Sequence, residues 1–149
     1  MNVPETRLRE ATAADVPAMF HVRTSVKENH LSESQLTQLG ITRQSVVAWL
    51  TEGIAGWVVE EGGQVVGFSL ADSRKASIFA LFVLPTHEHR GHGTRLLAAA
   101  VSWLRESGSG TISLNTGMQS SAVSFYERRG WRKTRLLPSR EVHMVLLLE

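Results

Sequence analysis

Phe82-Val83-Leu84-Pro85-Thr86-His87-Glu88-His89-Arg90-Gly91-His92-Gly93-Thr94-Arg95-Leu96-Leu97 is the stretch from which the rest of the chain can be read. Its apolar start reads as a strand. Pro85 ends that strand, because proline cannot donate to a ladder. A short glycine-bearing turn follows and opens into an amphipathic helix. Such a turn aims several backbone N–H groups from the positive end of a helix dipole, the arrangement that binds phosphate. Gly91 and Gly93 let the backbone come close to an anion, and Arg90, Arg95 and the nearby histidines add positive charge.

Two common phosphate loops are excluded by spacing. The chain has no Gly-x-x-x-x-Gly-Lys-Ser/Thr and no Gly-x-Gly-x-x-Gly, and the turn lies mid-chain, not in an opening βαβ unit. The stretch instead resembles motif A of the GNAT superfamily of acyl-CoA N-acyltransferases, a strand ending in Val-x-Pro, then Gln/Arg-x-x-Gly-x-Gly/Ala, then a helix. Glu88, His89, Arg90, Gly91, His92 and Gly93 occupy the six positions. Both small positions match, and Glu88 stands where Gln or Arg is usual. Downstream, Gln119-Ser120-Ser121-Ala122-Val123-Ser124-Phe125-Tyr126-Glu127-Arg128-Arg129-Gly130-Trp131 is similar to the family's Asn-x-x-Ala-x-x-Phe-Tyr-Glu-x-x-Gly-Phe signature. Gln119 replaces the usual Asn and Trp131 the usual Phe. The resemblance covers most of the chain.

Composition agrees. The 149 residues suffice for one domain, expected over residues 1–149, with a real core. Hydrophobic content of 42% and charged content of 20% are ordinary for a globular chain. The absence of cysteine excludes a disulfide framework, a thiolate nucleophile and a cysteine metal site. No apolar run approaches the roughly 20 residues of a membrane span. Met1 to Glu5 lacks the pattern of a signal peptide, so a cytoplasmic protein without membrane partners is expected. Charge is uneven: residues 1–75 hold 7 basic and 9 acidic side chains, residues 76–149 hold 9 and 5. The basic half carries the phosphate turn, and Arg128, Arg129, Arg132, Lys133, Arg135 and Arg140 are its densest part. Few aromatics interleave with them, so no nucleic-acid partner is expected.

Periodicity gives a coarse element order. Thr6 to Ala11 reads as a strand, and Thr12 with Asp15 three residues on reads as a helix start. Val16, Met19, Phe20 and Val26 share a helical face. Ser32 to Leu39 and Thr42 to Glu52 form an interrupted helical segment, broken at Gly40. Trp57-Val58-Val59 and Val65 to Phe68 are strands joined by a tight Gly62-Gly63 hairpin. Ser77 to Leu84 is nearly all apolar, the pattern of a strand covered on both faces. Gly93 to Ser107 is a helix, Thr111 to Asn115 a strand, and Ser120 to Arg129 a helix ended by Gly130. Trp131 to Leu137 and Glu141 to Leu148 close the chain as strands.

The resemblance implies an α/β (α+β) fold, the GNAT fold: a mixed, mostly antiparallel, splayed sheet of about seven strands flanked by about four helices. The split lies between the fourth and fifth strands. It implies an N-acetyltransferase that moves the acetyl group of acetyl-CoA to a primary amine by direct attack. The pantetheine arm would pair with backbone of Leu81 and Val83, a strand-addition mode. The pyrophosphate would meet N–H groups of His89, Arg90, Gly91, His92, Gly93 and Thr94, with Gln119 also on the cofactor side. Backbone N–H near Phe82 and Val83 would hold the thioester carbonyl, and Tyr126, the single tyrosine, would protonate the leaving thiolate.

The base is left open between Glu28, His30, Asp72 and an ordered water. Glu28, Asn29 and His30 border the expected acceptor pocket, for a small-molecule or a protein or peptide amine. His87, His89 and His92 do not have the ligand set of a metal site, and none is expected. A homodimer is expected from the apolar end Val145 to Leu148. The rivals from other classes are a non-catalytic CoA-binding or sensing domain on the same fold and, more weakly, a nucleic-acid-binding protein using the basic C-terminal half.

Overall fold

Gly62 and Gly63 take φ of 62° and 83°, the left-handed pair that a two-residue hairpin needs. They fold residues Ile54–Glu61 back on Gln64–Asp72, with Glu61 opposite Gln64. In the computed structural model, which describes residues 5–118 and 121–148, this hairpin supplies the second and third strands of the sheet. Gln119, an expected cofactor contact, lies outside the described residues.

The elements run β1 (Thr6–Glu10), α1 (Val16–Ser25), α2 (Glu33–Gln38), α3 (Arg43–Trp49), β2 (Ile54–Glu61), β3 (Gln64–Asp72), β4 (Ser77–Val83), α4 (His92–Glu106), β5 (Thr111–Gly117), α5 (Ala122–Glu127), β6 (Arg132–Leu136) and β7 (Glu141–Leu147). Short 3-10 turns, Ala13–Asp15 and Pro85–His87, precede α1 and α4. The sheet order is β1-β2-β3-β4-β5-β7-β6. Every neighbouring pair is antiparallel except β4–β5, which is parallel. Mixed α/β architecture with a mostly antiparallel seven-stranded sheet is as expected. Five α-helices are described in place of about four, because Gly40, at φ 80°, separates two short ones.

Val58 and Val59 are both fully buried. Successive strand residues point to opposite faces, so both faces of β2 are covered. α1 and α4 both pack on β3. Leu96, Leu97, Ala100 and Leu104 form the buried stripe of α4, and Ser69 Oγ on β3 donates to Leu96 O at 3.2 Å. The start of α1 is fixed by Asp15. Its carboxylate accepts from the Thr12 N–H at 2.7 Å and pairs with Arg9 of β1 at 2.7 Å.

One expectation about the sheet fails. β4 is not covered on both faces: of its seven residues only Ile78 is buried, and Phe79 is 43% exposed. The cause is the splay. β4 and β5 share a single registered pair, Ser77 with Ser113, and then diverge. The apolar run that reads as a doubly buried strand is the wall of an open cleft.

Candidate active site

The split opens a cleft of about 1530 Å³. That exceeds the usual 300–1,000 Å³ of a site for one small ligand, so two ligands fit side by side. Its walls are β4, α1 with the segment after it, the first turn of α4, the end of β5, and α5.

The turn before α4 has left-handed backbone and unbonded N–H groups. His89 and Gly91 have φ of 64° and 84°. The first is a left-handed histidine, a conformation that costs about 1 kcal/mol and gathers at functional sites. Arg95 N is the first helix donor with a backbone acceptor, Gly91 O at 3.1 Å. Among the described residues the N–H groups of His92, Gly93 and Thr94 have no backbone acceptor, the usual state of a helix start. Gly93 is close-packed for a different reason as well: a Cβ there would sit 3.4 Å from the Phe125 ring.

Side chains behind this turn converge on Glu61, the last residue of β2. His92 Nε2 lies 2.9 Å from one Glu61 oxygen, and Arg90 Nη1 pairs with the other. His87 Nε2 is 3.9 Å away. Arg95 Nη1 lies 3.1 Å from His92 Nδ1. Guanidinium can only donate, so Nδ1 accepts and the His92 proton sits on Nε2, facing Glu61. The hydrogen bond from His92, then the charge of Arg90, hold the Glu61 carboxyl below the usual range. Sequence reasoning assigned Arg90 as a free positive charge for phosphate and missed Glu61. The structure neutralises Arg90 against Glu61 and turns buried His92 away, leaving His92 only its backbone N–H for an anion.

Tyr126 is 6% exposed and lines the cleft from α5. Its ring packs edge-to-face on Phe125 at 5.2 Å and on Trp131 at 5.7 Å. Burial pushes its phenol up to about 12, so it is a neutral donor at physiological pH. Arg129 ties this helix to the start of α4. Its guanidinium donates to Thr94 Oγ1 at 2.7 Å and to Phe125 O at 2.8 Å, and lies 3.8 Å over the Phe125 ring. Leu81, Phe82 and Val83 line the same cleft.

The segment after α1 crosses the split. Glu28 accepts from Ser121 Oγ at 3.1 Å and from Ser121 N at 3.3 Å. Asn29, at φ 55°, lies on Gly117, where a Cβ would come 2.3 Å from Asn29 Nδ2. His30 Nδ1 donates to Val26 O at 3.0 Å. All three line the cleft. Asp72 does not: it is buried at the end of β3, where it accepts from the Arg74 N–H at 2.9 Å. His92 and, at 3.9 Å, His87 approach Glu61 together with Arg90. Among the described residues no group of three or more His, Cys, Asp or Glu side chains is set to hold a metal ion.

A family model described as "Acetyltransferase (GNAT) family" matches residues 21–131, most of the chain and both motifs. The chain belongs to the GNAT acetyltransferase family. This GNAT chain is 34% identical over 87 residues to N-acetyltransferase family 8 member 2 of Rattus norvegicus, covering 52% of this chain and 38% of that protein. It is 31% identical over 75 residues to the [Ribosomal protein bS18]-alanine N-acetyltransferase of Haemophilus influenzae, covering 49% of this chain and 51% of that one. The chain thus spans about half the length of the curated relatives it matches. In three dimensions it resembles the PaiA N-acetyltransferase of Thermoplasma acidophilum, solved in complex with coenzyme A. The TM-score is 0.83 at 14% identity, over 97% of this chain and 99% of that one. At that identity the likeness speaks for the fold. No helix of the described residues is long and apolar enough to cross a membrane.

Proposed function

We propose that this GNAT chain transfers the acetyl group of acetyl-CoA to a primary amine by direct attack with both substrates bound. The reading rests on one observation above all: Tyr126 and the donor-rich start of α4 line a single cleft wide enough for two ligands. Acetyl-CoA fits these residues, since the α4 turn offers N–H donors to a pyrophosphate and β4 has a strand edge that parts from β5. When bound it supplies an activated acyl thioester.

Each residue then has a task. Backbone of His89 to Thr94 receives the pyrophosphate. Backbone of Leu81 and Val83 pairs with the pantetheine amides, and N–H groups near Phe82 and Val83 orient the thioester carbonyl. The Tyr126 hydroxyl gives its proton to the departing sulfur. Glu28, Asn29 and His30 border the amine. Glu28 is occupied with Ser121 and His30 Nδ1 with Val26, so a water relay or His30 Nε2 takes the amine proton. Asp72, away from the cleft, does not. The reading includes a cytoplasmic location. Calorimetry of acetyl-CoA binding, joined to a thiol-release screen over a panel of amines, tests it. Tight binding without thiol release from any amine would favour a sensing domain.

A further inference from the structure

Arg23, on α1, stands at the wall of the cleft and has no counter-ion among the described residues. Its guanidinium lies 4.5 Å from the centre of the Phe82 ring. Nη2 donates to the Asn29 carbonyl at 3.1 Å. Nη1 is buried with no hydrogen-bond partner, and no carboxylate among the described residues pairs with Arg23. A buried donor left unpaired costs about 1–3 kcal/mol, and more when charged. The three carboxylates nearest in sequence are engaged elsewhere: Glu28 with Ser121, Asp15 with Arg9, and Glu33 with Arg43. The cleft that Arg23 lines also has an apolar stretch of wall. Trp49 and Phe79 meet edge-to-face at 5.9 Å, with Leu31, Leu36 and Ile41 beside them.

We infer that the acceptor amine carries a carboxylate that Arg23 binds, and an apolar side chain that the Trp49–Phe79 wall covers. The acceptor class is then a small, apolar α-amino acid. The Asn29 carbonyl holds the place of one carboxylate oxygen. A carboxylate entering the cleft takes Nη2 from Asn29 and Nη1 as well, the two-pronged geometry in which arginine is strongest. The left-handed Asn29, whose segment is exposed, is the part that yields. Arg23 also sits over Phe82, beside the expected position of the thioester, so a short amino acid held there would place its amine near the acyl carbon. This inference rests on the acetyltransferase reading.

The test compares L-phenylalanine, L-phenylalaninamide and phenethylamine as acceptors with the whole protein. Rates are taken at about pH 9 and referred to the neutral amine, since the three differ in basicity. L-Phenylalanine should exceed the other two in kcat/KM by about 10–100-fold, the worth of a charged hydrogen-bond pair. In Arg23→Gln that ratio should collapse toward unity through KM, and Arg23→Lys should restore part of it. Equal use of the three amines by the wild-type protein overturns the inference. So does an Arg23→Gln variant in which all three fall by one factor, which marks Arg23 as structural or as acting on the thioester. Preference for the amide would point to a peptide acceptor and equally overturn it. If Arg23→Gln does not fold, calorimetry of L-phenylalanine against phenethylamine on the wild-type protein decides, and binding of neither counts against the inference. Failure of acetyl-CoA to bind or to release thiol with any amine is a separate result. It removes the acetyltransferase reading and leaves the carboxylate measurement standing.

Discussion

Tyr126 carries two loads, and a single substitution separates them. Its ring fills space between Phe125 and Trp131, while its hydroxyl is the proposed acid. Tyr126→Phe keeps the ring. Turnover should fall by about 10²–10⁴-fold with little change in melting temperature or acetyl-CoA affinity. Wild-type turnover in the variant, with a true acceptor, would leave water to protonate the sulfur. Burial raises the phenol to about 12, so its ionisation should not limit the rate below about pH 10. The sign for stability follows: the fold favours the protonated phenol, so stability is full below the unfolded value near 10 and falls as pH rises toward 12. Glu61 works the other way. Its folded pKa is depressed, so its contribution is present above the unfolded value and lost as pH falls through the folded one. Glu61→Gln should release Arg90 and His92 and raise KM for acetyl-CoA about 10-fold, with kcat near wild type, because the turn is loosened and not removed. A variant with unchanged KM from pH 6 to 8 would mean that the turn holds its shape unaided. The packing of Tyr126 beside Phe125 was legible in the sequence because the two are adjacent. Glu61 was not, since 29 and 31 positions separate it from Arg90 and His92 and only the sheet joins them.

At the scale of the elements, what could be read was whatever depends on near neighbours. The Gly62-Gly63 hairpin, the Thr12–Asp15 start, the break at Gly40 and the stop at Gly130 each follow from local backbone chemistry, and each is present. The exposure of β4 was not readable, because its missing neighbour is a property of the whole sheet. The α4 turn shows the difference between its two glycines. Gly91 is left-handed, so any side chain there is strained whatever the space. Gly93 is tight against Phe125, so the barrier is steric. Gly91→Ala and Gly93→Ala should therefore part company. The first distorts the cradle and should weaken acetyl-CoA binding by about 10-fold or more, in line with a strain of about 1–2 kcal/mol. The second asks the Phe125 ring for a few tenths of an ångström and should be milder, while Gly93→Val should match the first. Calorimetry on the four proteins checks the order, and equal loss in the two alanine variants would refute it.

Across the whole molecule, the outer end of the sheet bears on self-association. β6 is an edge strand with all five residues exposed, and Arg132, Lys133 and Arg135 stand on it. Basic side chains on an edge discourage strand-to-strand pairing. The proposed homodimer would use the faces near Leu136 and Leu147, which are 60% and 62% exposed. Sedimentation at working concentration should give twice 16.5 kDa, and a mass of 16.5 kDa would exclude the dimer. The single registered pair between β4 and β5 has a further consequence. Hydrogen-bonded ladders pass cooperativity from strand to strand, and here that passage narrows to Ser77 and Ser113. The two flanks are otherwise tied by side chains, such as Arg129 to Thr94 and Glu28 to Ser121. A ligand seated in the split adds the rungs the protein lacks. Amide exchange at the β4 N–H groups that face the split, and not at those bonded to β3, should be fast in the free protein and slow by at least tenfold with coenzyme A bound, while Val58 and Val59 stay protected in both. By mass action the same ligand should raise the melting temperature, and the two flanks, free to loosen separately without it, should then melt as one.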